Sequence, residues 1–228
     1  IVPRMLHGVT EHDLRISIVG TQMSSPLLLA PIGAASVVTP DSDLTIARGA
    51  AAAGTAYVIS SQGCNPMEET AAVMGSTPFW YQLYWSTDEA LVDSMISRAE
   101  GCGAEALVIT LDTTILGWRP QDLNLGSLPF TRGHGIAQYT SDPRFNKIIH
   151  DRADVARDRP KTRPSLGAVR TLVSMSKQHP GGFGKNLRSA EPRAAVEAFL
   201  DIYSNPGLSW DHLATVRHRT SLPIVLKG

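Results

Sequence analysis

Short apolar runs recur along the chain, separated by longer stretches in which apolar and polar residues mix. Such runs are typical of strands buried on both faces of a parallel sheet. Capping residues predict helices between several of them, whereas residues 1–20 have a loop-like composition. The predicted strands cover residues 27–31, 56–60, 79–84, 106–111 and 223–228, and the predicted helices cover 43–53, 87–102 and 210–219, with a brief helix beginning at Pro66.

The alternation of strands and helices predicts a right-handed series of parallel βα units. Polar residues follow every predicted strand. An open doubly wound sheet would concentrate them at one switch point, whereas a barrel uses all of its strand ends, so a barrel fits better. The sequence therefore predicts an α/β fold, an incomplete TIM (β/α)8 barrel of about the first five βα units, with residues 1–228 as a single partial barrel.

The interval between the fourth and fifth predicted strands is too long for an ordinary βα loop. It covers residues 114–209 and is rich in Pro, Gly, Arg and Asp, most clearly over 151–164 and 179–192. This composition predicts a lid-like insertion at the mouth of the barrel. A plain flexible surface loop is the alternative for residues 151–192.

Charge and composition exclude several classes of partner. Lys plus Arg and Asp plus Glu number 21 each, so nothing indicates nucleic acid or another strongly charged partner. No apolar run approaches the roughly 20 residues that span a membrane. Two thiols, Cys64 and Cys102, fit a reducing, cytoplasmic location. The chain begins at Ile1 and ends on a strand, so both ends are expected to be cuts in a longer protein.

Several tempting motifs do not carry chemistry. Residues 101–106 match a G-x-G-x-x-A pattern, but they end a helix and precede a strand, the reverse of a dinucleotide-binding turn. Gly184-Lys185 lacks the flanking residues of a phosphate loop. The seven His residues show no metal-ligand spacing, so no metal site is predicted. Cys64 is interpreted as a small packing residue rather than a nucleophile.

Polar residues at the ends of the predicted strands form the candidate site. The set is poor in carboxylates, which argues against a glycosidase or aspartyl site. Its amide and hydroxyl groups can bind the edge of a flat heteroaromatic ring, and a Lys can stabilise negative charge on such a ring. Taken singly, Tyr84 could be core, Lys227 could pair with an acid and Gln82 could cap a loop. The members are Gly33, Ser60, Gln62, Gln82, Tyr84, Thr110, Arg119 and Lys227.

These residues belong to motifs through which the chain resembles the FMN-dependent α-hydroxy-acid oxidase and dehydrogenase family, in particular its lactate 2-monooxygenase branch. The resemblance extends from residues 2–6 to residues 226–228, nearly the whole chain, and residues 129–145 resemble a loop of that branch. The most specific motifs are Leu29-Ala30-Pro31-Ile32-Gly33, Tyr81-Gln82-Leu83-Tyr84, Thr110-Leu111-Asp112-Thr113, Leu116-Gly117-Trp118-Arg119 and Pro223-Ile224-Val225-Leu226-Lys227-Gly228.

The resemblance implies that FMN is the cofactor and that five positions hold its ring. The backbone at Ile32 and Gly33 would lie beside flavin N5. Ser60 and Gln82 would bind the ring, and Thr110 would lie next to it.

The resemblance also implies catalytic roles for three residues. Tyr84 and Arg119 would hold the carboxylate and hydroxyl of the substrate, and Lys227 would lie at flavin N1 and stabilise the reduced cofactor. Gln62 replaces an aromatic residue of some relatives, which affects the expected substrate size. Gly33, where many oxidases have Ala, fits the monooxygenase branch.

The implied activity is the oxidation of a small L-2-hydroxy acid with oxygen as the electron acceptor, and L-lactate is the expected substrate. In the monooxygenase branch, oxidative decarboxylation would turn L-lactate into acetate, carbon dioxide and water. The catalytic His and the carboxylate-binding Arg of the family follow the fifth strand and are not in this chain, so the chain alone is expected to be inactive. A homotetramer or homo-octamer is the expected assembly of the complete protein.

Two other interpretations stay open. The chain could be a truncated non-catalytic fragment, or a barrel half that needs a partner for its unpaired strand edges. It could also be an unrelated barrel that binds a phosphorylated metabolite.

Overall fold

The computed structural model describes residues 2, 5, 6, 8, 10–126, 128–156 and 165–228. Pro3 and Arg4, at the start of the family resemblance, lie outside the described residues. So do residues 157–164 of the insertion, which include most of its Pro- and Arg-rich first stretch.

The chain opens with a two-stranded hairpin that the sequence analysis did not predict. Strands β1 (Ile16–Ile18) and β2 (Thr21–Met23) pair antiparallel, with Ile18 opposite Thr21. Val19 and Gly20 form the two-residue turn with φ of 47° and 93°. Positive φ at both turn residues matches the right-handed twist of the strands, but Val is rarely found in that conformation. The loop-like assignment of residues 1–20 was therefore wrong at its end.

Five parallel strands form the main sheet, and they lie side by side in chain order. Each predicted apolar run forms one of them, although the first strand has two residues only. The predicted parallel βα series is confirmed. The strands are β3 (Leu28–Leu29), β4 (Ala56–Ile59), β5 (Phe79–Leu83), β6 (Leu107–Thr110) and β7 (Ile224–Lys227).

Helices follow the first four strands of this sheet and precede the last one, and short 3-10 helices cover Ala35–Val37 and Pro129–Arg132. The α-helices are α1 (Ser42–Ala53), α2 (Met67–Met74), α3 (Glu89–Gly101), α4 (Pro120–Leu125), α5 (Ala137–Thr140), α6 (Pro143–Ala156), α7 (Leu166–Gln178), α8 (Phe183–Arg188), α9 (Glu191–Ile202) and α10 (Trp210–Val216).

The two faces of the sheet bury different sets of side chains. One face, with Tyr57, Tyr81 and Leu107, packs against the helices in the main core. The opposite face, called the inner face below, carries a smaller cluster formed by Val58, Trp80, Ala106 and Val108. Ile18, Leu28 and Val225 pack against this cluster. The Trp80 indole N–H donates to the Thr21 hydroxyl at 2.9 Å, so the hairpin packs against this inner face.

The insertion contains regular helices rather than a plain loop. Residues 166–178, 183–188 and 191–202 are helical, and one side of α9 is buried in the main core through Ala195, Val196 and Phe199. Charged and small residues on the outer side of these helices give the composition that resembles a flexible loop. The role of residues 114–209 as a lid stays a prediction.

The start of α3 shows how the insertion is attached. Asp88 caps the helix, its carboxylate accepting the N–H of Leu91 at 2.9 Å, so the helix begins at Glu89 rather than at the predicted residue 87. The Ser86 hydroxyl instead donates to the carbonyl of Ile202 at 2.6 Å, and the N–H of Thr87 donates to the same carbonyl at 3.1 Å. The loop after β5 therefore holds the end of α9.

Candidate functional site

Three buried polar side chains form a hydrogen-bonded row across the carboxyl ends of β4, β5 and β6. The Ser60 hydroxyl donates to Gln82 Oε1 at 3.2 Å, and Gln82 Nε2 donates to the Thr110 hydroxyl at 2.8 Å. All three residues are at most 3% exposed. The structure therefore brings together three of the residues that the sequence analysis placed at the cofactor.

Strand register explains why these side chains meet. Ile59 pairs with Tyr81, which places Ser60 beside Gln82 at the next position along both strands. Because side chains alternate along a strand, Ser60 and Gln82 share the inner face with Val58 and Trp80. The long Gln82 side chain then reaches diagonally to Thr110, which lies two residues beyond Val108, the partner of Gln82 in β6.

Lys227 lies at the end of the same row. It pairs in register with Thr110, and its carbonyl accepts the N–H of Leu111 at 2.8 Å. Its ammonium lies 3.7 Å from Asp112 Oδ1, and the side chain is 47% exposed. The structure therefore shows the acid partner that the sequence analysis named as an alternative for this residue. Both charges remain accessible to solvent, so this ion pair is weak.

The loops after β3 and β4 meet next to this row. The N–H of Ala34 donates to the carbonyl of Gln62 at 2.9 Å. A Cβ added at Gly33 would lie 2.8 Å from Gln62 Oε1 and 3.1 Å from Gln62 Cβ. The Gln62 side chain therefore occupies the space that a larger residue at position 33 would need. Ile32 and Gly33 are exposed at this edge.

Tyr84 lies directly after β5, half-buried, and its backbone is held by Ser61. The Ser61 hydroxyl donates to the carbonyl of Gln82 and accepts the N–H of Tyr84 at 3.0 Å. The Tyr84 ring meets the edge of the Tyr203 ring at a centroid distance of 6.3 Å and an angle of 85°. Neither Ser61 nor Tyr203 was predicted as a neighbour of this position. The polar run Ser60-Ser61-Gln62 was a signal for the first, and no sequence signal marked the second.

Arg119 lies apart from the hydrogen-bonded row, at the residue before α4. Its side chain is 63% exposed, and its guanidinium lies 3.8 Å from Asp122. A cavity of about 210 Å³ beside it has apolar walls from Leu116, Leu123 and Leu128. This guanidinium is free to bind an anion, because an exposed pair at that distance costs little to break.

Burial shifts the pKa of two ionisable groups near the loop after β4. Burial raises the pKa of the Cys64 thiol, although hydrogen bonds from Ser36 oppose the shift. Burial likewise raises the pKa of Asp43, whose carboxylate accepts the N–H groups of Cys64 and Asn65. A thiol with a raised pKa is a poor nucleophile, in agreement with the packing role expected for Cys64.

Within the described residues, no group of three or more His, Cys, Asp or Glu side chains is arranged to hold a metal ion. No helix in the described ranges combines the length and the apolar character that membrane crossing requires.

A parallel βα sheet with a polar row at the carboxyl ends of its strands defines the class of β/α barrel proteins that bind small molecules at that end. The chain matches the family described as FMN-dependent dehydrogenase over residues 1–228, and it belongs to that family. The family and the FMN cofactor predicted from the sequence are thus confirmed.

Individual relatives agree with this assignment. The L-lactate oxidase of Lysinibacillus sphaericus (strain C3-41) is 30% identical over 228 residues, which are 100% of this chain and 49% of the relative. The 2-hydroxyacid oxidase 2 of Homo sapiens is 39% identical over 121 residues, covering 53% of this chain and 34% of the relative.

The solved structures confirm the predicted fold class. A crystal structure of mandelate oxidase with (S)-4-hydroxymandelic acid aligns with a TM-score of 0.66 at 28% identity, covering 100% of this chain and 52% of that chain. The whole of this chain is matched in both cases, but it spans only about half the length of the lactate oxidase and mandelate oxidase chains.

Proposed function

We propose that the protein to which this chain belongs oxidises a small L-2-hydroxy acid, with L-lactate as the preferred candidate. FMN would be bound at the candidate site, and oxygen would be the electron acceptor. The observation that carries the proposal is the hydrogen-bonded row of Ser60, Gln82 and Thr110 at the ends of three adjacent strands. Membership of the FMN-dependent dehydrogenase family supports it.

The chemistry of this row fits a flavin ring. Gln82 keeps a second amide N–H, and Thr110 can donate its own proton because its oxygen already accepts from Gln82. The pyrimidine edge of a flavin presents carbonyl and ring-nitrogen acceptors, which match these donors. Bound FMN would supply a two-electron acceptor next to the substrate. The ammonium of Lys227 would add positive charge at the same edge.

The substrate would meet Tyr84 and Arg119. The guanidinium of Arg119 can bind a carboxylate through two parallel hydrogen bonds once it leaves Asp122. The phenol of Tyr84 can donate to the hydroxyl or carboxylate of a 2-hydroxy acid. Together they would orient the substrate with its carboxylate toward the cation.

Oxidative decarboxylation is the finer part of the proposal. In that reaction L-lactate and oxygen give acetate, carbon dioxide and water, whereas a simple oxidase would release pyruvate and hydrogen peroxide. The small residue Gly33, which fits the monooxygenase branch that the chain resembles, supports the decarboxylating reaction.

The experiment uses the full-length protein. We expect it to purify with bound FMN and to lose its visible absorbance when L-lactate is added without oxygen. Gln82→Leu should weaken FMN binding by about 10-fold to 100-fold, because Ser60 and Thr110 lose their shared partner. Thr70→Val is the matched control, since Thr70 is also buried but its hydroxyl bonds to the carbonyl of Pro66, the residue before α2. A protein that takes up no FMN would refute the proposal.

The products and the role of Arg119 are tested in the same preparation. Acetate without peroxide would support the decarboxylating reaction. Pyruvate with peroxide would refute decarboxylation and support simple oxidation. Arg119→Met should raise the KM for L-lactate by about 100-fold while FMN stays bound. Equal losses of FMN and of substrate binding would show that Arg119 does not hold the carboxylate.

A further inference from the structure

Tyr203 belongs to the insertion, yet it contacts a candidate catalytic residue of the main sheet. It directly follows α9, at the end of the insertion, and its ring meets Tyr84 edge to face at 6.3 Å and 85°. Tyr203 is 3% exposed. Tyr84 itself is only half-buried, so its side chain has room to move unless a neighbour limits it.

Tyr203 is held rigidly on its far side. Its ring stacks on Phe199, one turn earlier in α9, with 4.8 Å between centroids and 17° between planes. Its N–H donates to the carbonyl of Phe199 at 2.9 Å. The preceding carbonyl, of Ile202, accepts both the Ser86 hydroxyl and the Thr87 N–H. These bonds tie the end of α9 to the same loop that Tyr84 begins.

The hydroxyl of Tyr203 lies in the electrostatic field of the candidate substrate site. It is buried, and the Ser204 side chain is its polar neighbour. Burial raises its pKa, Tyr84 raises it further, and the nearby Ser204 and Arg119 lower it. Both groups proposed to hold the substrate are therefore close enough to Tyr203 to influence its ionisation.

We propose that Tyr203 is a positioning residue that sets the direction of the Tyr84 phenol, so that the insertion determines how the substrate is held. The inference rests on the proposed function, because it assigns Tyr84 to the substrate. Edge-to-face aromatic contacts prefer a defined geometry, and Tyr203, stacked on Phe199, would impose that preference on the Tyr84 ring. Ser61 holds the Tyr84 backbone, and Tyr203 holds its side chain.

The test compares two substitutions in the full-length, FMN-loaded protein. Tyr203→Leu removes the ring, and Tyr203→Phe keeps it. Anaerobic reduction of the flavin at varied L-lactate concentration gives the substrate dissociation constant even in slow variants. We expect Tyr203→Leu to raise that constant about tenfold with unchanged FMN affinity and absorbance, and Tyr203→Phe to stay within about twofold.

A double-variant cycle separates positioning from a structural role. In a Tyr84→Phe background the phenol that Tyr203 positions is gone, so Tyr203→Leu should change the substrate dissociation constant by less than about twofold. Equal effects of Tyr203→Leu in both backgrounds would overturn the proposal. Tyr203→Met, whose unbranched and flexible side chain adapts better to an irregular gap, enters the same cycle if Tyr203→Leu does not fold.

Phe145→Leu is the matched control. Phe145 is fully buried and is linked to Tyr203 only through successive ring contacts, with Tyr139 and Phe199 lying between them. Its loss should lower stability without changing L-lactate binding, and an equal change in binding would overturn the proposal. If the unsubstituted protein takes up no FMN, or is not reduced by L-lactate, the proposed function fails. If the unsubstituted protein binds FMN and is reduced by L-lactate but the effects in the double-variant cycle are additive, only the positioning role of Tyr203 is refuted.

Discussion

The Ser61 hydroxyl accepts the backbone N–H of Tyr84 at 3.0 Å while it donates to the carbonyl of Gln82. One side chain from the loop after β4 thus satisfies two backbone groups at the point where β5 ends. Ser61 is 2% exposed, so water cannot replace it without a structural change. The backbone that carries Tyr84 is therefore held by a buried side chain of the neighbouring loop.

Ser61→Ala should lower stability and loosen Tyr84 together. Two buried backbone groups lose their partner, which costs about 1–3 kcal/mol in the free energy of unfolding. The KM for L-lactate should rise about threefold to tenfold, because the Tyr84 backbone gains freedom. Denaturant unfolding and steady-state kinetics measure the two effects. Ser94→Ala is the control, since the Ser94 hydroxyl bonds to Asp142 away from the site. An unchanged KM in Ser61→Ala would contradict the role of Ser61.

The part of this arrangement that follows strand order was predictable. Residues 56–59 and 107–110 are fully buried, so their apolar runs identified β4 and β6 directly. Parallel strands place their carboxyl ends together, and polar residues there were expected to meet. The contacts among Ser60, Gln82 and Thr110 follow from that rule and from the length of the Gln side chain.

The remaining contacts depend on packing that has no period in the sequence. Tyr203 meets Tyr84 across more than a hundred residues, and Ser61 meets it across 23. The hairpin turn was missed because Val19 adopts a positive φ, against its conformational preference. The helices of the insertion were missed because its Pro, Gly and charged residues outweighed the apolar stripe of α9 in composition.

Gly33→Ala should impair the site through Gln62. The added Cβ would lie 2.8 Å from Gln62 Oε1 and 3.1 Å from Gln62 Cβ, so the Gln62 side chain must move. We expect kcat/KM for L-lactate to fall by about tenfold, and by less than about threefold in a Gln62→Ala background, where the amide is gone. Steady-state kinetics of the four proteins measure this coupling.

Gly49→Ala is the control for that substitution. Gly49 lies within α1, and an added Cβ there meets no described atom within 4 Å. It should leave kcat/KM unchanged and stabilise the helix by roughly 0.5–1 kcal/mol. Independent, additive effects of Gly33→Ala and Gln62→Ala would show that the two positions are not coupled.

Arg98→Ala should detach the insertion from α3. The Arg98 guanidinium binds Glu68 at 2.7 and 2.9 Å, the carbonyl of Gln138 at 2.7 Å and the Asp142 carboxylate at 3.2 Å. The Asp142 side chain is 0% exposed, so the substitution leaves a buried carboxylate without its cation. We expect a loss of about 3–5 kcal/mol in the free energy of unfolding.

Denaturant unfolding of the full-length protein measures that loss, and Arg193→Ala is the control. Arg193 pairs with Glu197 one turn away on α9 and is 65% exposed, so its removal should cost less than about 0.5 kcal/mol. A loss no larger in Arg98→Ala than in Arg193→Ala would refute the structural importance assigned to the Arg98 contacts.

His179 should make the stability of the protein decline in acid. Burial lowers the pKa of His179 below the ordinary 6.5, and the Glu191 carboxylate, 3.9 Å away, opposes that shift. The folded state therefore binds this proton less readily than the unfolded state. The contribution of His179 to stability is greatest above pH 6.5 and falls as the pH drops from there through the lowered pKa.

Two variants with opposite effects test the His179 prediction by urea unfolding of the full-length protein between about pH 5 and pH 8. His179→Gln cannot take up the proton, so the decline in the free energy of unfolding should become shallower. Glu191→Gln removes the charge that raises the pKa of His179, so the decline should become steeper. The two substitutions remove opposite partners of one ion pair, so they should change the pH dependence of the free energy of unfolding in opposite directions. An equal pH dependence in both variants would show that another group controls the acid sensitivity.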